Sequence, residues 1–425
     1  DPTTVCNQLK KQFANITYLP TDAGYVNETQ GTRIPWAAIA WLDPACVSAP
    51  RNAVDLSHAV KLFKKSSTLF AVRGGGHMPI PDAANINSTG VQTSSSNLKT
   101  LELSEYKQTM SIGPGPRWDD VFEYMDGTNL TILVADCPPV GIPGLLLGGG
   151  IRYRSNAHGM SASEGKIKAY ECVLADGTIA TVTAKSHPDL YWALQGGGNS
   201  FALVTRFDPL TFPLCARAPP PTTGPLATFY NGTIESVNSS STLHPLSLAQ
   251  YAKLLHPAFE NGGPGHGFHQ KLRVVSMKAT REAMDIVHDA CFAKLRSTNI
   301  ANRVPGSFAG LAYDSITRTF AERSQGTPMG VEPIPQFWVE EATSWDYAAD
   351  DAEVYTFLSE VNAEIEGRLE EKNLTLPYVY LNDADKGQKV SESYGKGNVA
   401  RLRAIRKKYD PAGVFTVLMP GGWKV

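Results

Sequence analysis

V-R-G-G-G-H, residues 72–77, closes an apolar, strand-like stretch that begins at Thr68 and places three consecutive glycines just before an imidazole. Glycine tolerates left-handed dihedrals and lets backbone approach another group closely, so such a loop can lay its amides against a phosphate-bearing ligand. A lone glycine triplet is more often an ordinary tight turn. Here a second cluster, Gly141, Gly144, Gly148, Gly149 and Gly150, follows one small subdomain further on. The pair predicts one large cofactor lying against both loops.

Working outward, apolar Val54, Ala59, Val60, Leu62 and Phe63 predict a helix over 53–65 that feeds the strand at 68–73, as in an α/β unit. Strand-like pieces at 100–103 and 109–112 precede the turn-forming Gly113-Pro114-Gly115-Pro116 and a short helix over 117–125. Asp176-Gly177, between 170–175 and 178–183, marks a hairpin whose two turn positions favour positive φ. A proline-initiated helix over 188–194 ends at Gly196-Gly197-Gly198.

The texture then changes to A-R-A-P-P-P-T-T (216–223), where prolines this dense sustain neither helix nor ladder, and this is the expected domain boundary. Beyond it lie helix candidates at 279–295 and 349–369 and strand candidates at 271–277 and 378–381, read as a sheet covered by helices. A helix over 398–409, stopped by Asp410-Pro411, and apolar 414–419 end the chain and return to the first half. The expected class is α+β, with 1–213 joined by 386–425 as one domain and 214–385 as the other.

A chain of 425 residues exceeds the size at which one core usually stops growing, which agrees with two domains. A net charge of −2 gives no footprint for nucleic acid or an anionic membrane, and no apolar run reaches the ~20 residues that cross a bilayer. The expected partner is a small molecule. Six cysteines and seven N-x-S/T sequons, at Asn15, Asn27, Asn87, Asn129, Asn231, Asn238 and Asn373, predict a secreted protein bearing N-linked glycans. The opening Asp-Pro-Thr-Thr, without a basic or apolar leader, fits a mature secreted form.

Further landmarks are C-P-P-V-G-I-P-G-L-L-L-G-G-G (137–150), Leu174-Ala175-Asp176-Gly177, P-D-L-Y-W-A-L-Q-G-G-G-N-S-F-A-L-V-T-R-F (188–207), Y-L-N-D-A-D (380–385), K-Y-D-P-A-G-V-F (408–415) and P-G-G-W-K (420–424). In this order, and spanning residues 6–425, they make the chain resemble the berberine-bridge-enzyme-like branch of the vanillyl-alcohol oxidase (PCMH-type) flavoproteins, in its secreted fungal form. The resemblance implies an FAD-binding domain built from the N-terminal half and the extreme C-terminus, with a substrate domain of antiparallel sheet and helices inserted between them. It implies cofactor contacts from Arg73, Gly74, Gly75, Gly76, His77, Met78, Cys137, Pro139, Val140, Gly141, Gly144, Gly148, Gly149, Gly150, His158, Val204 and Asn382. It further implies a covalent bond from His77 to the flavin 8α-methyl, a second from Cys137 to flavin C6, and a Cys6–Cys46 disulfide. Cys172, Cys215 and Cys291 receive no assignment.

The chemistry so implied is an FAD-dependent oxidase that passes hydride from a small substrate to flavin N5 and electrons on to dioxygen, releasing hydrogen peroxide. Val140 matches a position where side-chain bulk governs oxygen access. Tyr380 and Asp383 are the candidate bases; if 378–381 extends as a regular strand, 380 and 382 share a face and 383 points away. The chain departs from the family pattern at Pro143, Arg152, His158 and Ser163-Glu164, in the flavin-side loop. Two alternatives therefore stand beside the oxidase. One is a redox-neutral, Diels-Alderase-like cyclase or isomerase; the other is a secreted carbohydrate oxidase, to whose groove Trp338, Trp345 and Trp423 could contribute.

Glu340-Glu341 and Asp350-Asp351 read as a solvated helix face. His266-Gly-Phe-His269 has metal-like spacing without a third ligand, so no metal site is expected. No G-x-x-x-x-G-K-[ST], G-x-S-x-G or H-E-x-x-H motif is present, which removes kinase and hydrolase readings.

Overall fold

The computed structural model describes residues 1–30, 35–133, 137–151, 154–214, 247–259 and 266–425. The expected boundary at 216–223, Arg152, Cys215 and the sequons at Asn231 and Asn238 lie outside the described residues.

The first sheet pairs Cys46–Ser48, Val91–Ser94 and Phe70–Arg73 in parallel, with Thr17–Tyr18 antiparallel at one edge. The helix Ala53–Ser66 feeds it as the periodicity predicts. Its N-terminus is capped by the Asn52 side chain, which accepts from Asp55 N at 2.9 Å, and it ends at left-handed Ser67. Its Val60 and Phe63 pack on Phe70, and Val414, Phe415 and Met419 complete the same core. Phe70 N donates to Leu418 O at 2.8 Å, so the C-terminal segment does return to the first sheet. The Cys6–Cys46 disulfide is formed.

A five-stranded antiparallel sheet follows, in the order Leu101–Leu103, Met110–Ile112, Leu203–Pro209, Ile167–Val173, Ile179–Val182. Its hairpin at Asp176-Gly177 forms, but only Gly177 has positive φ, at 83°. Gly177 N donates to Leu174 O and Leu174 N to Thr178 O, so a turn plus a left-handed glycine, rather than two mirror-image positions, reverses the chain.

The third sheet is antiparallel, with Gln336–Trp345 between His269–Lys278 and Phe308–Ile316. One face, with Val275, Met277, Val339 and Trp345, packs under the helices Arg281–Thr298 and Asp351–Glu371. The other face holds Leu272, Val274, Asp314, Trp338 and Glu340 by strand alternation. Val274 and Trp338 on it join the core that contains Ile142, Leu146 and Tyr380. That second face looks back at the glycine loops, and the cavity lies between them.

Candidate active site

The two glycine clusters meet each other directly. A Cβ on Gly75 would lie 2.5 Å from Gly141 N, and one on Gly141 would lie 2.6 Å from Gly75 Cα, so neither position admits a side chain. Gly76 has φ of 72°, and Arg117 anchors the loop by donating from Nη2 to Gly75 O at 2.8 Å. None of the amides of residues 74–78 donates a hydrogen bond to a described residue. A run of free donors on a glycine loop is what an anionic group such as a pyrophosphate requires.

Around this loop opens a cavity of about 540 Å³, within the range of roughly 300–1,000 Å³ typical of small-molecule and cofactor sites. Of the residues expected to bind a cofactor, Gly74, Gly75, Gly76, His77, Met78, Cys137, Val140, Gly141, Gly144, Gly148, Val204 and Asn382 line it. Arg73, Pro139, Gly149, Gly150 and His158 do not. Arg73 is buried behind the loop, paired with Glu28 at 2.8 Å. Gly149 and Gly150 turn the chain with φ of 119° and 79° at the end of the helix Ile142–Gly148. His158 ends the helix Ser155–His158 and tilts against Phe212 at 5.4 Å. Pro143 leaves the cavity open: it sits in the first turn of the helix Ile142–Gly148, where proline is tolerated, with its ring against Gly74.

Sequence reasoning did not single out several other lining residues. Thr93 carries a buried hydroxyl with no partner, which faces a cavity that a polar ligand would satisfy. Trp36 and Asn199 also line the wall, together with Trp423, the one of the three tryptophans considered for a carbohydrate groove that does so. The His77 ring stacks on Trp36, with centroids 4.7 Å apart and planes 1° from parallel. Burial, reinforced by the positive charge of Arg117, lowers the His77 pKa to about 3 and keeps the imidazole neutral. Cys137, which is in no disulfide, is half-buried on the same wall.

The opposite wall is acidic. Residues 377–380 are not a strand, and Leu381–Asp383 form a 3-10 turn, so the alternation argument that turned Asp383 away fails. Tyr380, Asn382 and Asp383 all line the cavity. The Tyr380 oxygen accepts from Ile151 N and Asn382 Nδ2, both at 2.9 Å, and its ring stacks on Trp338 at 5.3 Å. Burial and the neighbouring Asp383 push the Tyr380 pKa well above its usual value, so this phenol stays protonated.

Glu340 is not on a helix: it lies on the central strand of the third sheet and lines the cavity with Asp314. Asp314 pairs with Trp338, and Glu340 with Ala312, so the two carboxylates are diagonal neighbours on one face. Burial raises Asp314 to about 6. Burial and the charge of Asp314 raise Glu340. Asp383 is pushed well up by burial, then by Glu340 and Asp314. No lysine or arginine lines the cavity among the described residues. No group of histidines, cysteines and carboxylates among them could hold a metal ion; His269 instead pairs with Asp351 at 2.9 Å.

The FAD binding domain family model matches residues 44–183, and the berberine and berberine-like model matches residues 378–418. The chain is 28% identical to the FAD-dependent monooxygenase prx3 of Penicillium roqueforti, over 99% of this chain and 93% of that one. It is 29% identical to the bifunctional solanapyrone synthase of Alternaria solani, over 99% and 88%. Among solved structures it superposes on the glucooligosaccharide oxidase of Acremonium strictum, which carries a 6-S-cysteinyl, 8α-N1-histidyl FAD. The TM-score is 0.67 at 19% identity, over 98% of each chain. Fold and cavity thus define an FAD-binding oxidoreductase. More narrowly, the chain is similar to berberine-bridge-enzyme-like flavoproteins, through the FAD binding domain match in its N-terminal half and the berberine-like match near its C-terminus.

Proposed function

We propose that the chain is an FAD-dependent oxidase of a small organic substrate from fungal secondary metabolism, with dioxygen as acceptor and hydrogen peroxide as product. One observation carries this reading: a single cavity joins the glycine loops, His77 and Cys137 to the acidic sheet face. In this reading 1–213 with 386–425 hold the cofactor, and 214–385 present the substrate.

Bound FAD would supply a two-electron acceptor. The free amides of 74–78 would hold its pyrophosphate, and His77 and Cys137 would tether it as in the Acremonium enzyme's doubly linked FAD. Tyr380 already accepts two hydrogen bonds, which leaves its own O–H to donate to a substrate oxygen or nitrogen and so orient it. Asp383 takes the substrate proton. A base works best when its pKa lies near the operating pH, and Glu340 and Asp314 move Asp383 upward in that direction. Val140, half-buried on the wall beside Gly141, is the residue that would set oxygen access.

The redox-neutral cyclase remains a second reading because burial and mutual repulsion raise all three clustered carboxylates, which favours their protonated forms and suits the cluster to acid as well as base chemistry. The relative named as a bifunctional solanapyrone synthase is consistent with it. The carbohydrate oxidase fits less well: Trp338 and Trp345 are fully buried core, and only Trp423 of the three tryptophans lines the cavity. Secretion with N-linked glycans is supported by the Cys6–Cys46 disulfide and by the exposure of Asn15, Asn27, Asn87, Asn129 and Asn373.

The test is an absorption spectrum before and after acid precipitation, followed by a peroxide assay over a panel of fungal polyketide alcohols and alkaloids. A yellow pellet and substrate-dependent peroxide support the oxidase. A product of unchanged mass without peroxide supports the cyclase. A colourless protein that takes up no FAD sinks both.

A further inference from the structure

We propose that Trp36 is the positioning residue for covalent flavin attachment at His77, holding the imidazole by its face so that its ring nitrogens remain open to the cavity. The proposal rests on the reading that His77 bonds the flavin.

Histidines that act through one nitrogen are commonly oriented by a hydrogen bond to the other. His77 lacks that device: neither ring nitrogen makes a hydrogen bond to a described residue. What fixes the ring is the parallel indole of Trp36 at 4.7 Å, with Phe259 tilted against the imidazole at 6.2 Å and the indole at 5.7 Å. Trp36 is tied to the same residue a second time, because its Nε1 donates to the backbone oxygen of His77. Its own backbone is held by the segment that leads into the third sheet: Gly267 N donates to Trp36 O at 2.7 Å, and Ala38 N donates to Phe268 O at 2.8 Å. The strand His269–Lys278 begins immediately after these residues. The clamp on His77 is thus mounted on the entry to the substrate-side sheet, and the ring reaches its working orientation only when both walls of the cavity are assembled.

The indole face also matches the charge of the bond-forming step. One C–H bond of the flavin methyl breaks and one imidazole N–C bond forms. The two electrons released pass through the flavin to dioxygen, and the methyl proton and the imidazole N–H proton leave with them as hydrogen peroxide. While the N–C bond forms, the imidazole acquires positive charge, which burial and Arg117 oppose. An aromatic face against the ring offsets that opposition.

The full-length chain, produced under riboflavin limitation and then mixed with FAD, tests this in wild type, Trp36→Ala, Trp36→Phe and His77→Ala. Tight reversible binding is read by FAD fluorescence, and attachment by the flavin retained on denaturing gels and mapped to the His77 peptide. Trp36→Ala is expected to bind FAD nearly as tightly as wild type but to attach it at least roughly tenfold more slowly, since misplacing a reacting group by about 1 Å can cost a hundredfold. Trp36→Phe, which keeps a ring but loses the N–H donor, is expected to fall between. If Trp36→Ala fails to fold, Trp36→Leu, which keeps most of the packing volume without an aromatic face, gives the same comparison. Attachment at the wild-type rate in either aliphatic variant overturns the role of Trp36 while leaving the covalent reading intact. Wild-type protein with no flavin on the His77 peptide overturns both.

Discussion

Replacing Asp314 by asparagine isolates the electrostatics of the acidic wall. Asp314 sits on the cavity face of the third sheet with its pKa raised by burial to about 6, against about 3.9 for an aspartate in an unfolded chain. A carboxyl raised on folding is neutral and harmless below the unfolded value, and its contribution is lost as pH rises through the folded value. The window is therefore about pH 4 to 6. Two units correspond to at most roughly 3 kcal/mol of destabilisation once Asp314 is ionised. Asparagine has the same shape and no charge, so wild type and Asp314→Asn should unfold with nearly equal free energy at pH 4. At pH 8 the variant should be the more stable by up to roughly 3 kcal/mol. Urea unfolding of the FAD-loaded chain at both pH values measures this difference of differences. The same substitution removes a charge that raises Asp383, so the acid limb of the kcat/KM profile should move to lower pH. A stability difference that is the same at pH 4 and pH 8, or an acid limb that stays in place, would refute the account of the carboxylate cluster.

Three further outcomes follow from the geometry. His77→Ala should leave FAD extractable by acid from that position, and a flavin-bearing 72–77 peptide in digests of the variant would contradict the tether. Gly75→Ala forces a Cβ to 2.5 Å from Gly141 N, so the two loops must separate, and overpacking of this kind typically costs about 1–3 kcal/mol. FAD per chain, read at 450 nm after purification, should fall markedly; full occupancy would show that the loops have more slack than their contact implies. Tyr380→Phe leaves the Ile151 amide and one Asn382 donor without their acceptor, at a cost of about 1–3 kcal/mol for a buried unpaired group. Both melting temperature and turnover should drop, and an unchanged turnover would remove Tyr380 from substrate orientation.

What could be read in the sequence was what local chemistry dictates. The helix at 53–66, the Gly177 turn and the proline-started helix Pro188–Ala193 are specified by residues within a few positions of one another. The strands Phe308–Ile316 and Gln336–Trp345 are not legible in the sequence: the first is an edge strand whose residues are nearly all exposed or half-buried, so it carries no apolar alternation, and in the second the adjacent charged pair Glu340-Glu341 breaks the pattern. The Glu340-Glu341 pair shows what that omission hid. Adjacent carboxylates look like a solvated helix face, but on a strand they point oppositely, so Glu340 reaches the cavity while Glu341 meets Arg273 at 3.4 Å on the helix-covered side. Asp383 was misplaced for a related reason, since the alternation argument assumed a strand where the chain makes a 3-10 turn. The glycine loops were recognised correctly as a close-approach device, yet part of what they approach is each other.

The distribution of charge across the cavity bears on how proton and electron movement are linked. His77, held neutral, is the one histidine among the described cavity-lining residues, whereas Asp314, Glu340 and Asp383 gather on the opposite wall with no lysine or arginine among those lining residues. Fixed negative charge beside a redox cofactor opposes the arrival of electrons, because reduction adds negative charge to a space of low dielectric. A base drawn from that same cluster relieves the conflict: when ionised Asp383 accepts a substrate proton, the acidic wall loses one unit of negative charge as the cofactor side gains electrons. The cavity's net charge then changes little across the reaction. Neither asparagine nor lysine in place of Asp383 can accept the proton, and lysine adds a positive charge where asparagine only removes a negative one, so Asp383→Asn and Asp383→Lys grade the electrostatic effect with the base absent from both. Both should lose turnover, while the flavin reduction potential, measured by dithionite titration, should rise in each. A potential that stays at the wild-type value in both variants would mean that the carboxylates act on the substrate alone.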